Sequence, residues 1–222
     1  MEKPLMNYLD NQIRIAAFKW LEEMTAIHGD VLHWSMLADG FELNGEKINL
    51  IAQQGIFKPK QLEIPLTIRT TFEGPYNDTL DDEGFLQYKY HGTDPQRWDN
   101  VALRKAITAE VPLIYLHAVA EGWYLVTWPV FVVGDDPARH TFTVVADDKS
   151  VLRSDDVKIT PESIAEARRH YKTQEVQVRL HQRVFREKVL FAYKVQCALC
   201  HLKHKELLEA SHIIPDSEPE SR

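Results

Sequence analysis

The chain carries two cysteines, and they stand as Cys197-Ala-Leu-Cys200. In a reducing compartment that spacing means metal binding or redox chemistry rather than a structural disulfide. A redox pair wants a strand before it and a helix opening at it. Here a long, charged helical pattern comes first, which favours metal. An apolar run with a single histidine follows, Leu207-Leu-Glu-Ala-Ser-His-Ile-Ile-Pro215.

The rest of the chain must build a core by ordinary means, and its composition allows it. Hydrophobic residues make up 44% of the 222 and charged residues 27%, the balance of a globular protein. No apolar run approaches the roughly 18 residues of a membrane span. The start, Met1-Glu-Lys-Pro-Leu, lacks the order of a signal peptide, so the expected location is cytoplasmic. The net charge is −7, unevenly spread. Ten Lys/Arg stand against two Glu between Arg168 and Lys205, a net +8, which leaves −15 for the remainder. A basic segment beside a metal motif suits phosphate contact, and the plainer alternative is a solvated helix face. Arg179, Arg183, Arg186 and Lys188 are the candidates for phosphate contact.

From the N-terminus, apolar residues at helical spacing predict a helix over Asn7–Ile27 ended by His28-Gly29, then a short helix through Val31–Ala38. Alternation around Asn44-Gly45 predicts a hairpin over 41–51. From Gly55 to Asp148 the pattern is β, with strands expected at 64–71, 84–90, 113–119, 123–133 and 140–145 and a helix at 99–108 capped by Asp99 or Asn100. Thr160-Pro-Glu opens a helix that runs to about Tyr193, with a break near 172–174.

Residues 180–220, with Cys197-x-x-Cys200 and Ala-Ser-His212-Ile-Ile-Pro, resemble the HNH endonucleases, most closely their restriction-type branch. The resemblance implies that Cys197 and Cys200 hold a structural Zn²⁺ and that His212 is the general base toward the attacking water. It also implies a catalytic Mg²⁺ or other divalent ion on the phosphate. The family's second zinc pair, its orienting Asn and its final metal-binding His lie downstream of the His-Ile-Ile-Pro run and are missing here, so the expected finger is incomplete.

A second resemblance runs through Gly74-Pro-Tyr76-Asn-Asp78-Thr-Leu-Asp81-Asp82-Glu-Gly84 and on through Tyr88-Lys-Tyr90-His-Gly92. It is similar to the SRA (YDG) domains, PUA-like barrels that turn a modified cytosine out of duplex DNA. The resemblance implies stacking by Tyr76 and Tyr90, with Tyr88 as the alternate because the spacing differs. Asp78 or Asp81 would accept from the cytosine amino group. The plainer reading puts these tyrosines in a barrel core.

The expected architecture is therefore α+β. A helical cap and hairpin (1–52) precede a PUA/SRA-like β-barrel (53–150), a basic linker helix (160–195) and a partial ββα-metal (HNH) finger (196–222). The expected function is a modification-dependent DNA endonuclease acting on double-stranded DNA, with a homodimer serving double-strand cleavage. The alternatives are a non-cleaving reader of modified DNA and a nuclease whose barrel takes another ligand.

Overall fold

The computed structural model describes residues 8–70, 79–80, 86–146 and 174–211, with backbone alone for 79–80 and 174–182. Its centre is the pair of long strands β8 (Leu113–Ala120) and β9 (Trp123–Asp136), joined by a tight turn at Gly122. Leu113 to Leu116 are all buried, and so is β9 from Tyr124 to Val132. A strand that is apolar without alternation is one covered on both faces. Ile114, Leu116, Ala118, Tyr124, Val126 and Trp128 look toward α1 (Tyr8–His28), while Leu113, Tyr115, Val130 and Val132 line the opposite core with α3 (Trp98–Ala109).

Six further strands extend the sheet: β1 (Val31–His33), β4 (Ile56–Phe57), β5 (Thr67–Arg69), β6 (Thr79–Leu80), β7 (Leu86–Lys89) and β10 (Thr141–Ala146). Their order is β4-β5-β8-β9-β10-β7-β6, with β1 on β9 as well; β5 and β8 run parallel and every other pair is antiparallel. The result is a mixed α+β molecule whose sheet curls into a half-barrel. Tyr88 on β7 shows the curl directly, because its hydroxyl donates to the Arg69 carbonyl of β5 at 3.3 Å. Pro129, which has no N–H to give, sits at the register shift between β8 and β9.

The N-terminal cap shares the core of the sheet. Ile13, Ala17, Phe18 and Leu21 of α1 are buried against it. Arg14 is fully buried, pairs with Asp10 and donates to the carbonyls of Ile64, Pro65 and Pro112. One guanidinium thus fastens the helix to the segments entering β5 and β8. The short helix α2 (Trp34–Asp39) starts later than the expected Val31–Ala38. Val31, Leu32 and His33 instead pair with Leu125, Tyr124 and Trp123, since an open sheet edge satisfies their backbone better than a first helical turn would. Gly40 ends α2 at φ +65°, with Ile48 O only 2.0 Å from where a Cβ would stand. The hairpin of β2 (Phe41–Leu43) and β3 (Glu46–Ile48) turns at Asn44-Gly45, both at positive φ, as its sequence predicts.

The basic helix, α4 (Gln174–Ala192), lies on the sheet. Its Val184 and Phe191 pack on Val31, Val119 and Leu125, and the Phe191 ring lies 5.5 Å from that of Trp123. The expected helical start at Thr160 lies outside the described residues. Among the described residues no helix is long and apolar enough to cross a membrane.

Candidate nucleic-acid interface

Beyond α4 the backbone reverses through Lys194 and Val195, both at positive φ. The two cysteines then form a closed turn. Cys197 N donates to Leu202 O at 2.9 Å, His201 N donates to Cys197 O at 3.1 Å, and Leu199 N approaches Cys197 Sγ at 3.5 Å. The amides of Cys200 and Leu199, together with the Cys200 thiol, hold the Cys197 thiol below its ordinary pKa. Amides converging on a sulfur are what a metal-binding thiolate needs as its outer support. Cys200 is exposed and Cys197 partly so. Cys197 and Cys200 are the residues of this turn that could hold a metal. The described residues hold no group of three or more His, Cys, Asp and Glu arranged for a metal, and His201 and His204 are exposed beside the turn.

A clamp holds the turn against α4. Arg186 Nη2 donates to the carbonyls of Lys205 and Leu208 at 2.9 and 3.1 Å, and its Nη1 meets Glu187 at 2.9 Å. Lys205 Nζ reaches the other Glu187 oxygen at 3.1 Å. Glu187 is only 8% exposed, and Leu190 and Leu208 are buried as well. Arg183 pairs with Asp30 at 2.8 Å. Two of the four basic residues picked for phosphate contact are thus engaged within the protein, while Lys188 is exposed. Arg179 lies on α4 outside the residues with described side chains.

Inside the half-barrel, Tyr88 of β7 and Tyr90 just beyond its end both lie in the core. The Tyr90 ring packs 4.6 Å from Phe142, and its hydroxyl donates to Asp135 and accepts from Arg104 Nη2 at 3.1 Å. Burial first, and then the Asp135 bond, raise its pKa. Arg104 closes the triangle with a 2.5 Å bond to Asp135. Tyr90 is thus committed to packing, whereas Tyr88 spans the interior toward β5. Tyr76, Asp78, Asp81 and His212 lie outside the described residues.

Asp99 and Asn100 clasp a loop as well as the start of α3, where Asp99 Oδ1 accepts from Asn100 N at 3.0 Å. Fully buried Asp99 meets His91 Nδ1 at 2.5 Å and Arg97 Nε at 3.1 Å, while the Asn100 side chain accepts from His91 N and donates to Asp94 O. On β8, His117 is a polar residue in an otherwise apolar strand, and sequence reasoning passed over it. Its Nδ1 is 3.0 Å from the Tyr115 hydroxyl. Burial, and then the charge of Lys188, push its pKa down to about 4. Its one visible signal was the polar break in Leu113-Ile-Tyr-Leu-His117.

No family model matches the chain, and no curated protein or solved structure is detectably similar to it.

Proposed function

We propose that this chain reads modified cytosine in duplex DNA and carries the zinc-binding half of an HNH-type finger, as in a modification-dependent restriction endonuclease. One observation carries the reading: an amide-lined Cys-x-x-Cys turn is seated, through a docked basic helix, on a curled sheet with an aromatic interior. Such a sheet can enclose a flat base turned out of the stack, and the helix adds positive charge for the phosphates. Tyr76 and Tyr88 are the stacking candidates, and Asp78 or Asp81 accepts from the cytosine amino group. Cys197 and Cys200 hold the zinc that folds the finger. His212 takes the proton from the attacking water, and a divalent ion, when bound, balances charge on the phosphate. A homodimer would supply the second cut.

A second reading is a reader that does not cleave. In it the cysteine turn is a structural brace on α4, where Arg186 and Lys205 hold it. The test measures duplex binding at fixed salt with methylated, hydroxymethylated and unmodified cytosine, for wild type and Tyr76→Ala. Metal content of wild type and Cys200→Ser is measured in parallel. Preference for a modified duplex that Tyr76→Ala abolishes, with zinc lost in Cys200→Ser, supports the proposal. Equal affinity for all three duplexes overturns the reader. Nicking of a modified duplex with Mg²⁺ separates the endonuclease from the non-cleaving reading.

A further inference from the structure

Strands β8 and β9 gather polar groups on one face of the sheet. Tyr115 stands opposite Thr127, and His117 stands opposite Leu125 on the next rung of that face. Directly opposed residues share a face, and this is the face away from α1, because Ile114, Leu116, Ala118, Val126 and Trp128 take the other. The Tyr115 hydroxyl holds His117 through Nδ1, and the two ring centres lie 5.9 Å apart. That leaves His117 Nε2 and Thr127 Oγ1. Both are sealed from solvent, and neither has a hydrogen-bond partner among the described residues. Thr127 is 7% exposed.

Native interiors leave few buried polar atoms unmatched, because each one is destabilising. Valine would fill the place of Thr127 without that cost. Two unmatched atoms on adjacent rungs therefore indicate a place built to meet the polar edge of something else. The surroundings narrow its class. Ile68 on β5 flanks Tyr115, and Tyr88 reaches across to the same strand. The neighbours are apolar and aromatic, with Leu125 beneath Val184 and Phe191 of α4, and a neutral imidazole and a hydroxyl each make one directed hydrogen bond. A flat, uncharged heterocycle with donors and acceptors on its rim suits them. Lys188 of α4 acts on His117 by its charge; it is exposed and suits the phosphate attached to such a ring.

We propose that His117 Nε2 and Thr127 Oγ1 hydrogen-bond the edge of the everted base, that Tyr115 fixes the imidazole for this task, and that Lys188 meets the nucleotide's phosphate. This inference rests on the DNA-reading function proposed above and assigns its specificity residues.

The test uses the full chain and compares wild type, Thr127→Val, Thr127→Ser and His117→Gln. Affinities for modified and unmodified duplexes are measured at several salt concentrations, alongside urea denaturation. Thr127→Val should be at least as stable as wild type yet lose about five- to tenfold in its preference for the modified duplex, the worth of one hydrogen bond. Thr127→Ser, which keeps the hydroxyl, should retain the preference, and His117→Gln should reduce it. Lys188→Ala should weaken binding to all duplexes and flatten the salt dependence by about one unit of slope. A wild type that discriminates while Thr127→Val and His117→Gln discriminate equally well overturns this assignment and leaves the reader intact. A wild type that binds every duplex alike overturns both. Should Thr127→Val fail to fold, loss of preference in Thr127→Ser overturns the role of the hydroxyl.

Discussion

The state of His117 can be titrated. In the fold its pKa is pushed down to about 4, first by burial and then by Lys188; in the unfolded chain an imidazole returns to about 6.5. Between those values the unfolded chain binds the extra proton, so stability rises with pH. The contribution is complete above about pH 6.5 and is lost as the pH falls toward 4. Integrating the two titrations from pH 7 to pH 5 gives a loss of roughly 2 kcal/mol, a sizeable share of the 5–15 kcal/mol that holds a typical domain. Urea denaturation at the two pH values would register it as a midpoint shift of about 1 M, since urea slopes run at about 1–3 kcal/mol/M. Carboxylates also titrate in this range, which is why His117→Phe must be measured beside wild type. The variant should lose about 2 kcal/mol less on acidification. Equal acid sensitivity in the two proteins, or an imidazole that titrates near 6.5 by NMR, would refute the reasoning.

Three other expectations follow from the packing. Arg14→Ala strands the Asp10 carboxylate and leaves the Ile64, Pro65 and Pro112 carbonyls unmet, so it should cost about 3–5 kcal/mol in denaturation; a loss below about 1 kcal/mol would show that water or neighbouring groups replace the guanidinium. Gly40→Ala drives a Cβ into Ile48 O at a positive φ and should destabilise by more than about 2 kcal/mol, with the hairpin of β2 and β3 the first region to gain amide exchange. Arg186→Ala frees the Lys205 and Leu208 carbonyls and one partner of Glu187, and should raise exchange and proteolysis across residues 197–208 by about tenfold while the sheet stays protected.

Local chemistry in this sequence was legible where the physics is local. The Asn44-Gly45 hairpin follows from two residues that accept positive φ, and the paired strands β8 and β9 follow from apolar runs on either side of Gly122. The failures have one cause, which is partners far away in the chain. Val31–His33 looked helical because nothing nearby announces the free edge of β9, more than ninety residues on. Asp99 and Asn100 looked like caps alone because their further partners, His91 and Asp94, sit in a preceding loop. The charge count on α4 is correct, yet Arg183 meets Asp30 at a separation of 153 residues. Alternation showed that Tyr88 and Tyr90 share a face, but not that Asp135 and Arg104 would claim the Tyr90 hydroxyl. Polar atoms with no partner, as at Thr127, have no sequence signature whatever.

The docking of α4 bears on how reading and cutting would be joined. A linker that floats free would let a nuclease finger search a range of phosphates around a captured base. Here Val184 and Phe191 bind the helix to β1, β8 and β9, Arg183 ties it to Asp30, and Arg186 with Lys205 and Glu187 fixes the cysteine turn to the same helix. Each link is modest, and the exposed ion pair contributes little alone. In series they leave few torsions between the sheet interior and the cysteine turn. Under the proposed function the offset between the base read and the bond cut would then be set by the length of one docked helix. Loosening Arg186 would spread the cleavage positions without altering which base is chosen. That asymmetry, positions blurred while base preference holds, is what a rigid strut predicts and a flexible tether does not.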